Sequence, residues 1–201
     1  MSKYMLAGKA REHMVAAESE WLMGLGRHPR IESCIVHFAA VPPPSDDIDL
    51  VIELGLRDGA FPPEATAPFE QADVYGVREV VEKGAARLEP GWLPGITYLS
   101  RNPAQPGLSA AEVDARYARH GPLAVRVHIG MDRYVRNSVT EASPGALPLA
   151  SLSVLHFPTK TDLADRLYVD DAGRDAILAD VQAFLDVDDI RTMTANTWVV
   201  R

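Results

Sequence analysis

The chain has 201 residues, 47% of them hydrophobic, and a formal net charge of −8. That is enough apolar material for a packed core, in one ordinary domain or two small ones, and an acidic surface repels phosphate backbones, which argues against nucleic acid as a partner. The one cysteine, Cys34, excludes an internal disulfide and a cysteine-based zinc site.

No apolar run approaches membrane-spanning length, and the opening Met1–Ala7 lacks the apolar core of a signal peptide. A soluble cytoplasmic protein without a membrane partner is therefore expected. The first periodic segment, from about Ala7 to Gly26, carries Met14, Val15, Trp21, Leu22 and Leu25 at helical spacing, with Gly24, Gly26 and Pro29 as its stop. Ile31–Phe38 and Asp49–Leu54 are β-prone runs that read as strands, separated by a turn at Pro42–Ser45. Phe61–Phe69 holds a short helix, and Ala72–Val81 alternates as a strand with one face on a core.

After Gly84 the order starts again. Ile96–Arg101 is a strand, and Ser109-Ala110-Ala111-Glu112 is a capping box, in which the serine hydroxyl accepts from the Glu112 amide while the Glu112 side chain reaches back. The helix it opens sets Val113, Tyr117, His120 and Ala124 along one stripe. Met131–Val139 and Leu152–Phe157 are strands, Asp175–Leu185 is a helix burying Ile177, Val181 and Phe184, and Thr192–Val200 is a last strand.

The second half thus runs β-α-β, β-α-β, the ferredoxin-like order. The first half runs the same way with a weak first strand at Lys3–Leu6. An offset of about 100 residues lays Ile31–Cys34 on Met131–Tyr134 and His28 on His128, a repeat of pattern. A four-stranded sheet with helices on one face leaves its other face apolar, and a second sheet can cover it. The expected architecture is therefore α+β: two ferredoxin-like repeats, residues 1–85 and 92–201, whose antiparallel sheets pack into an intramolecular α/β barrel.

The ordered set Tyr98-Leu99-Ser100-Arg101, Leu108-Ser109-Ala110-Ala111-Glu112, His120-Gly121-Pro122-Leu123 and Tyr134-Val135-Arg136-Asn137 resembles the pattern of the EthD family. So does the tail, with Asp180, Phe184-Leu185-Asp186 and Trp198-Val199-Val200. The resemblance spans roughly residues 92 to 201, and residues 1 to 85 look like a degenerate second copy. It implies a cytoplasmic dimeric α/β barrel without a cofactor, in a superfamily that includes decarboxylases, dehydratases, cyclases, isomerases and small monooxygenases. Such breadth means that fold membership does not fix a reaction.

His120 is the expected proton-transfer group: it lies on the apolar stripe of its helix, and Pro122 should disturb the hydrogen bonding just after it. Tyr98 and Asn137 are expected to hold a substrate oxygen, with Tyr117, Tyr134, His128, His156 and Trp92 lining the binding space. His128, like His28, also suits a helix C-terminus. The histidines lack ligand spacing, so no metal is expected. The acidic set Asp162, Asp165, Asp170, Asp171, Asp175, Asp180, Asp186, Asp188 and Asp189 reads as helix caps and a solvated face, since it lacks the spacing of a calcium loop. Cys34 reads as a small apolar residue. These residues suit a cofactor-independent lyase or isomerase using histidine acid–base chemistry on a small, largely apolar, oxygen-bearing substrate. The alternative from another class is a non-catalytic protein binding a small ligand, haem included. A chain supplying both sheets would be a monomeric pseudo-dimer, or pair further as a homodimer.

Overall fold

A computed structural model describes residues 2–11, 20–42, 48–58, 61–85 and 87–201. In chain order the elements are β1 (Ser2–Ala10), α1 (Glu20–Arg27), β2 (Ile31–Ala39), β3 (Leu50–Leu56), a 3-10 turn (Pro63–Thr66), β4 (Phe69–Lys83) and β5 (Gly91–Asn102). They continue with α2 (Ala110–Val127), β6 (Arg133–Ala142), β7 (Ser151–Phe157), α3 (Lys160–Arg166), α4 (Asp171–Gln182) and β8 (Arg191–Val199). The strands close into one antiparallel barrel in the order β1-β3-β2-β8-β5-β7-β6-β4. Within β1–β4 and within β5–β8 the order is the same: fourth, first, third, second. The two sets join along β2–β8 and β4–β6.

The closed sheet has two covered faces, and the side chains divide between them by strand alternation. Met5, Ala7, Val51, Leu99, Val135, Leu152, Val154 and Ala195 fill the lumen. On the outside of the first half, Leu6, Cys34, Val36, Ile52 and Leu54 pack against Leu22 and Leu25 of α1. On the outside of the second half, Ile96, Leu155 and Phe157 meet Ala124 and Val127 of α2 and Ile177 of α4. This explains why β3 and β7 are buried at every position: they are central strands with a lumen on one side and helices on the other.

One end of the lumen is polar. Lys3 Nζ donates to Glu53 Oε2 at 2.5 Å and also pairs with Glu79. Glu53 Oε1 lies 2.7 Å from His37 Nε2, His37 Nδ1 lies 2.9 Å from Thr197 Oγ1, and that hydroxyl lies 2.7 Å from Thr97 Oγ1. Burial alone would raise the Glu53 carboxyl, but Lys3 and the His37 hydrogen bond hold it well below the usual carboxylate range. Cys34, on the opposite face of β2 from His37, is sealed in the α1 core. Burial and then the Glu53 charge push its thiol up to about 12, so it stays an unreactive thiol.

Several sequence expectations change. β1 is a full strand to Ala10, paired with β3 and β4, so Ala7–Ala10 does not open a helix. Met14 and Val15 of the expected helix, and most of the expected turn at Pro42–Ser45, lie outside the described residues. β5 begins at Gly91, five residues early, because the Pro94-Gly95 step is absorbed as a register shift against β8. Asp175–Leu185 becomes α4, starting at Asp171 and ending at Gln182, and α3 precedes it. α2 carries Pro122 in its interior and runs on to Val127. No helix of the described residues is long and apolar enough to cross a membrane.

Candidate functional site

The outer face of β5, β7 and β6 forms the floor of a cavity of about 320 Å³, roofed by α2 and α4. From β5 come Tyr98, Ser100 and Asn102, every second residue; from β7 Ser153 and Leu155; from β6 Tyr134. α2 contributes Tyr117, His120 and Ala124 at helical spacing, and His128 follows as its C-cap. The capping box at Ser109 and Glu112 is present in both directions and fixes where this helix begins. Ile177, Leu178 and Val181 of α4 close the apolar side.

His120 is held from two directions. Its Nδ1 lies 2.8 Å from Asp180 Oδ2 on α4, and its ring makes edge contacts with Tyr117 and Phe184 at centroid distances of 5.7 and 5.6 Å. A carboxylate accepts only, so Nδ1 carries the proton and Nε2 is the free lone pair of the neutral ring. Nε2 has no hydrogen-bond partner among the described residues. Burial lowers the His120 pKa, and the Asp180 hydrogen bond and charge only partly restore it. His128 is fixed in the same sense: Nδ1 donates to the Leu167 carbonyl at 2.6 Å, and burial again lowers its pKa. Two neutral imidazoles with oriented tautomers therefore line one cavity.

At the end of the cavity nearest Asn102, hydroxyls converge. Asn102 Nδ2 lies 3.1 Å from Tyr117 Oη, 3.1 Å from Ser151 Oγ and 3.2 Å from Ser153 Oγ, and Ser151 Oγ donates to Tyr117 Oη at 2.8 Å. The Arg136 guanidinium stacks 5.1 Å from the Tyr117 ring centre and pairs with Glu82 at 3.3 Å. Burial raises the Tyr98, Tyr117 and Tyr134 phenols, so all three stay protonated as donors in neutral solution.

The structure thus brings together His120, Tyr98, Tyr117, Tyr134 and His128. Three expected members stand elsewhere. Asn137 faces the lumen with Val135, Nδ2 donating to the Leu152 carbonyl at 3.2 Å and Oδ1 unpartnered. His156 shares the lumen face of Leu152 and Val154, with Nδ1 on Asp132 at 2.7 Å. Trp92 is 52% exposed and stacks on Trp198, centroids 5.1 Å apart. Strand alternation points Asn137 and His156 away from the cavity, whereas Trp92 is on the outer face but at the far end of β5, against Phe38 and Trp198. His28 lies by Glu64, also outside it. Among the described residues no three His, Cys, Asp or Glu side chains converge as metal ligands.

Asp180 was grouped with the solvated carboxylates, and the structure corrects this: it orients His120. Its position three residues after Ile177, the buried residue of α4, is the available sign, since residues three apart share a helix face. Asp170 does cap α4, accepting from the Gly173 amide at 2.7 Å.

No family model matches the chain, and no curated protein matches it in sequence. Solved structures do match in fold. An anthrone oxidase-like protein aligns with 99% of this chain and 92% of its own, at a TM-score of 0.63 and 12% identity. A protein of Fusobacterium nucleatum subsp. nucleatum with a provisional monooxygenase assignment aligns with 100% of this chain and 92% of its own, at 0.56 and 8% identity. A similarly assigned protein of Lactobacillus acidophilus NCFM aligns over 100% and 94%, at 0.54 and 8% identity. The fold is shared. These proteins and this chain have the same α/β-barrel architecture, end to end.

Proposed function

We propose that the chain is an enzyme that removes a proton from a small, largely apolar substrate carrying a carbonyl or hydroxyl group. The observation that carries this reading is the His120–Asp180 pair, at 2.8 Å, beside a cavity that also holds three protonated tyrosines. His120 Nε2 accepts the proton, and Asp180 fixes the tautomer and favours the imidazolium that forms. Tyr98, Tyr117 and Tyr134 supply O–H donors for the oxygen on which negative charge develops. The cavity volume suits a ligand of one to three fused rings, near the lower bound of small-molecule sites, about 300 Å³.

Returning the proton to another carbon gives isomerase chemistry, and giving it to a leaving group as its bond to carbon breaks gives lyase chemistry; neither needs a redox partner. The descriptions attached to the structural neighbours, anthrone oxidase-like and monooxygenase, favour a second course, in which the substrate anion passes its electrons to dioxygen. In this reading residues 1–85 and 92–201 are two ferredoxin-like repeats, and the first supplies the sheet that backs the second.

Proton abstraction is measured directly as solvent exchange. Aryl ketones of one to three rings, anthrone included, incubated in D2O with the protein should incorporate deuterium at the carbon that the carbonyl acidifies, which in anthrone is the methylene opposite it in the central ring. His120→Gln should slow this by about 10²-fold or more, and Asp180→Asn by less. An oxygen electrode separates the two courses. If His120→Gln exchanges as fast as the unaltered protein for a substrate it turns over, the assignment of His120 is wrong.

A further inference from the structure

The polar end of the barrel lumen opens into a second cavity, of about 570 Å³, on the opposite face of the sheet from His120. Its inner wall carries Lys3, Glu53, Glu79 and Arg133 from four different strands, and Arg57 and Arg201 stand at its exposed rim. Most of these charges are already matched. Lys3 lies between Glu53 and Glu79, and Glu53 is also bonded to His37.

Arg133 adds to the field that keeps Glu53 ionised, yet it makes no hydrogen bond or close ion pair to a carboxylate among the described residues. The residue is only 5% exposed, yet its one hydrogen bond among the described residues is a long contact from Nε to the Ala85 carbonyl, at 3.4 Å. No carboxylate among the described residues lies within ion-pair distance of it, and its terminal nitrogens are not sealed from the cavity. A guanidinium set this deep in the wall, with terminal N–H groups that meet no acceptor of the described residues, offers those donors to whatever occupies the cavity. The planar fork of N–H donors fits the two oxygens of a carboxylate, whose single charge it would neutralise. The lining carries Lys3, Arg57, Arg87, Arg133 and Arg201 against Glu32, Glu53, Glu79 and Glu89, one positive charge in excess, which a single carboxylate balances.

We propose that the mouth of the barrel is a binding site for a small organic monocarboxylate, held by Arg133 in bidentate fashion. The site is separate from the His120 cavity, because the sheet itself lies between them. Its occupancy ties β6 to the Lys3–Glu53–His37 network of β1, β3 and β2, so the ligand stiffens the seam between the two halves.

The test is titration of the full chain with acetate, pyruvate and benzoate, and separately with inorganic phosphate, followed by amide chemical shifts and by thermal midpoint at constant ionic strength. A monocarboxylate should bind saturably, raise the midpoint, and move amides around Lys3, Glu53 and Arg133 while leaving those of α2 in place. Arg133→Gln should weaken binding by about tenfold to a hundredfold, and His120→Gln should leave it unchanged. Should Arg133→Gln fail to fold, the shift map of the unaltered protein decides alone. Shifts confined to the His120 cavity, no saturable carboxylate binding, or phosphate binding as tightly as the carboxylates would each overturn the proposal.

Discussion

At the scale of single residues, the cavity works by keeping its imidazoles neutral. Burial lowers the pKa of both His120 and His128 below that of a free histidine, the Asp180 contact notwithstanding. The proton-accepting form of His120 therefore persists on the acid side of ordinary histidine, and turnover should fall only as pH drops through its lowered value. Asp180→Asn removes the charge that partly restores that pKa, so the acid limb of the pH–rate profile should move further toward acid, besides any loss in rate. Stability follows the same sign. A base whose folded pKa is depressed contributes fully above its unfolded value, near 6.5, and its contribution is lost as pH falls from there toward the folded value. Thermal midpoints measured from about pH 7.5 to 5 should decline over that window, and less in a His128→Gln variant. Five of the eight expected residues line one cavity: a helical stripe and a capping box placed Tyr117, His120 and His128, and the β-prone runs placed Tyr98 and Tyr134. Asn137 was not legible in this way, although it lies three residues from Tyr134 on one strand, and residues three apart on a strand face opposite sides. With apolar packing on both faces of the sheet, neither burial nor composition told which side mattered.

At the scale of elements, local strain and close approach set what can change. α2 carries Pro122 in its interior, on an exposed turn, where it has no N–H to give the carbonyl four residues back. Pro122→Ala restores that bond and should stabilise the chain by about 1 kcal/mol or more, seen as a higher thermal midpoint. The opposite outcome is expected at Gly8 on β1. A Cβ there would overlap the backbone carbonyl of Gln71 on β4, and no rotamer change relieves a backbone clash. Gly8→Ala should therefore open the β1–β4 pairing and lower the midpoint by several degrees, for a cost of about 1–3 kcal/mol. β1 was the element read least well from the sequence. Ala7, Gly8, Lys9 and Ala10 have little strand propensity, and only pairing on both sides makes them a strand. α3 was missed for a related reason: it is short, and none of its residues is fully buried. β2, β3 and β7 were legible because their apolar runs are continuous.

For the whole molecule, barrel closure was inferred from two apolar sheets that each needed a cover, and eight strands of this one chain do close the barrel. No second copy is needed for any strand to find its partners. The chain should therefore run at its own mass of 21.9 kDa in size-exclusion chromatography with light scattering. A particle of twice that mass at every dilution would show that self-association contributes to folding as well.

A barrel closed by the eight strands of one chain has a consequence for its sites. A barrel assembled from two identical subunits must carry every substitution twice, once on each side of its axis, so its sites come in equivalent pairs. Here one gene position is one place in the barrel. β5–β8 and their helices carry a roofed cavity with two oriented imidazoles, while His28, before β2, lies by Glu64 outside any such cavity. A ligand titration should accordingly end at one equivalent per barrel in the His120 cavity, with no second, weaker copy behind it.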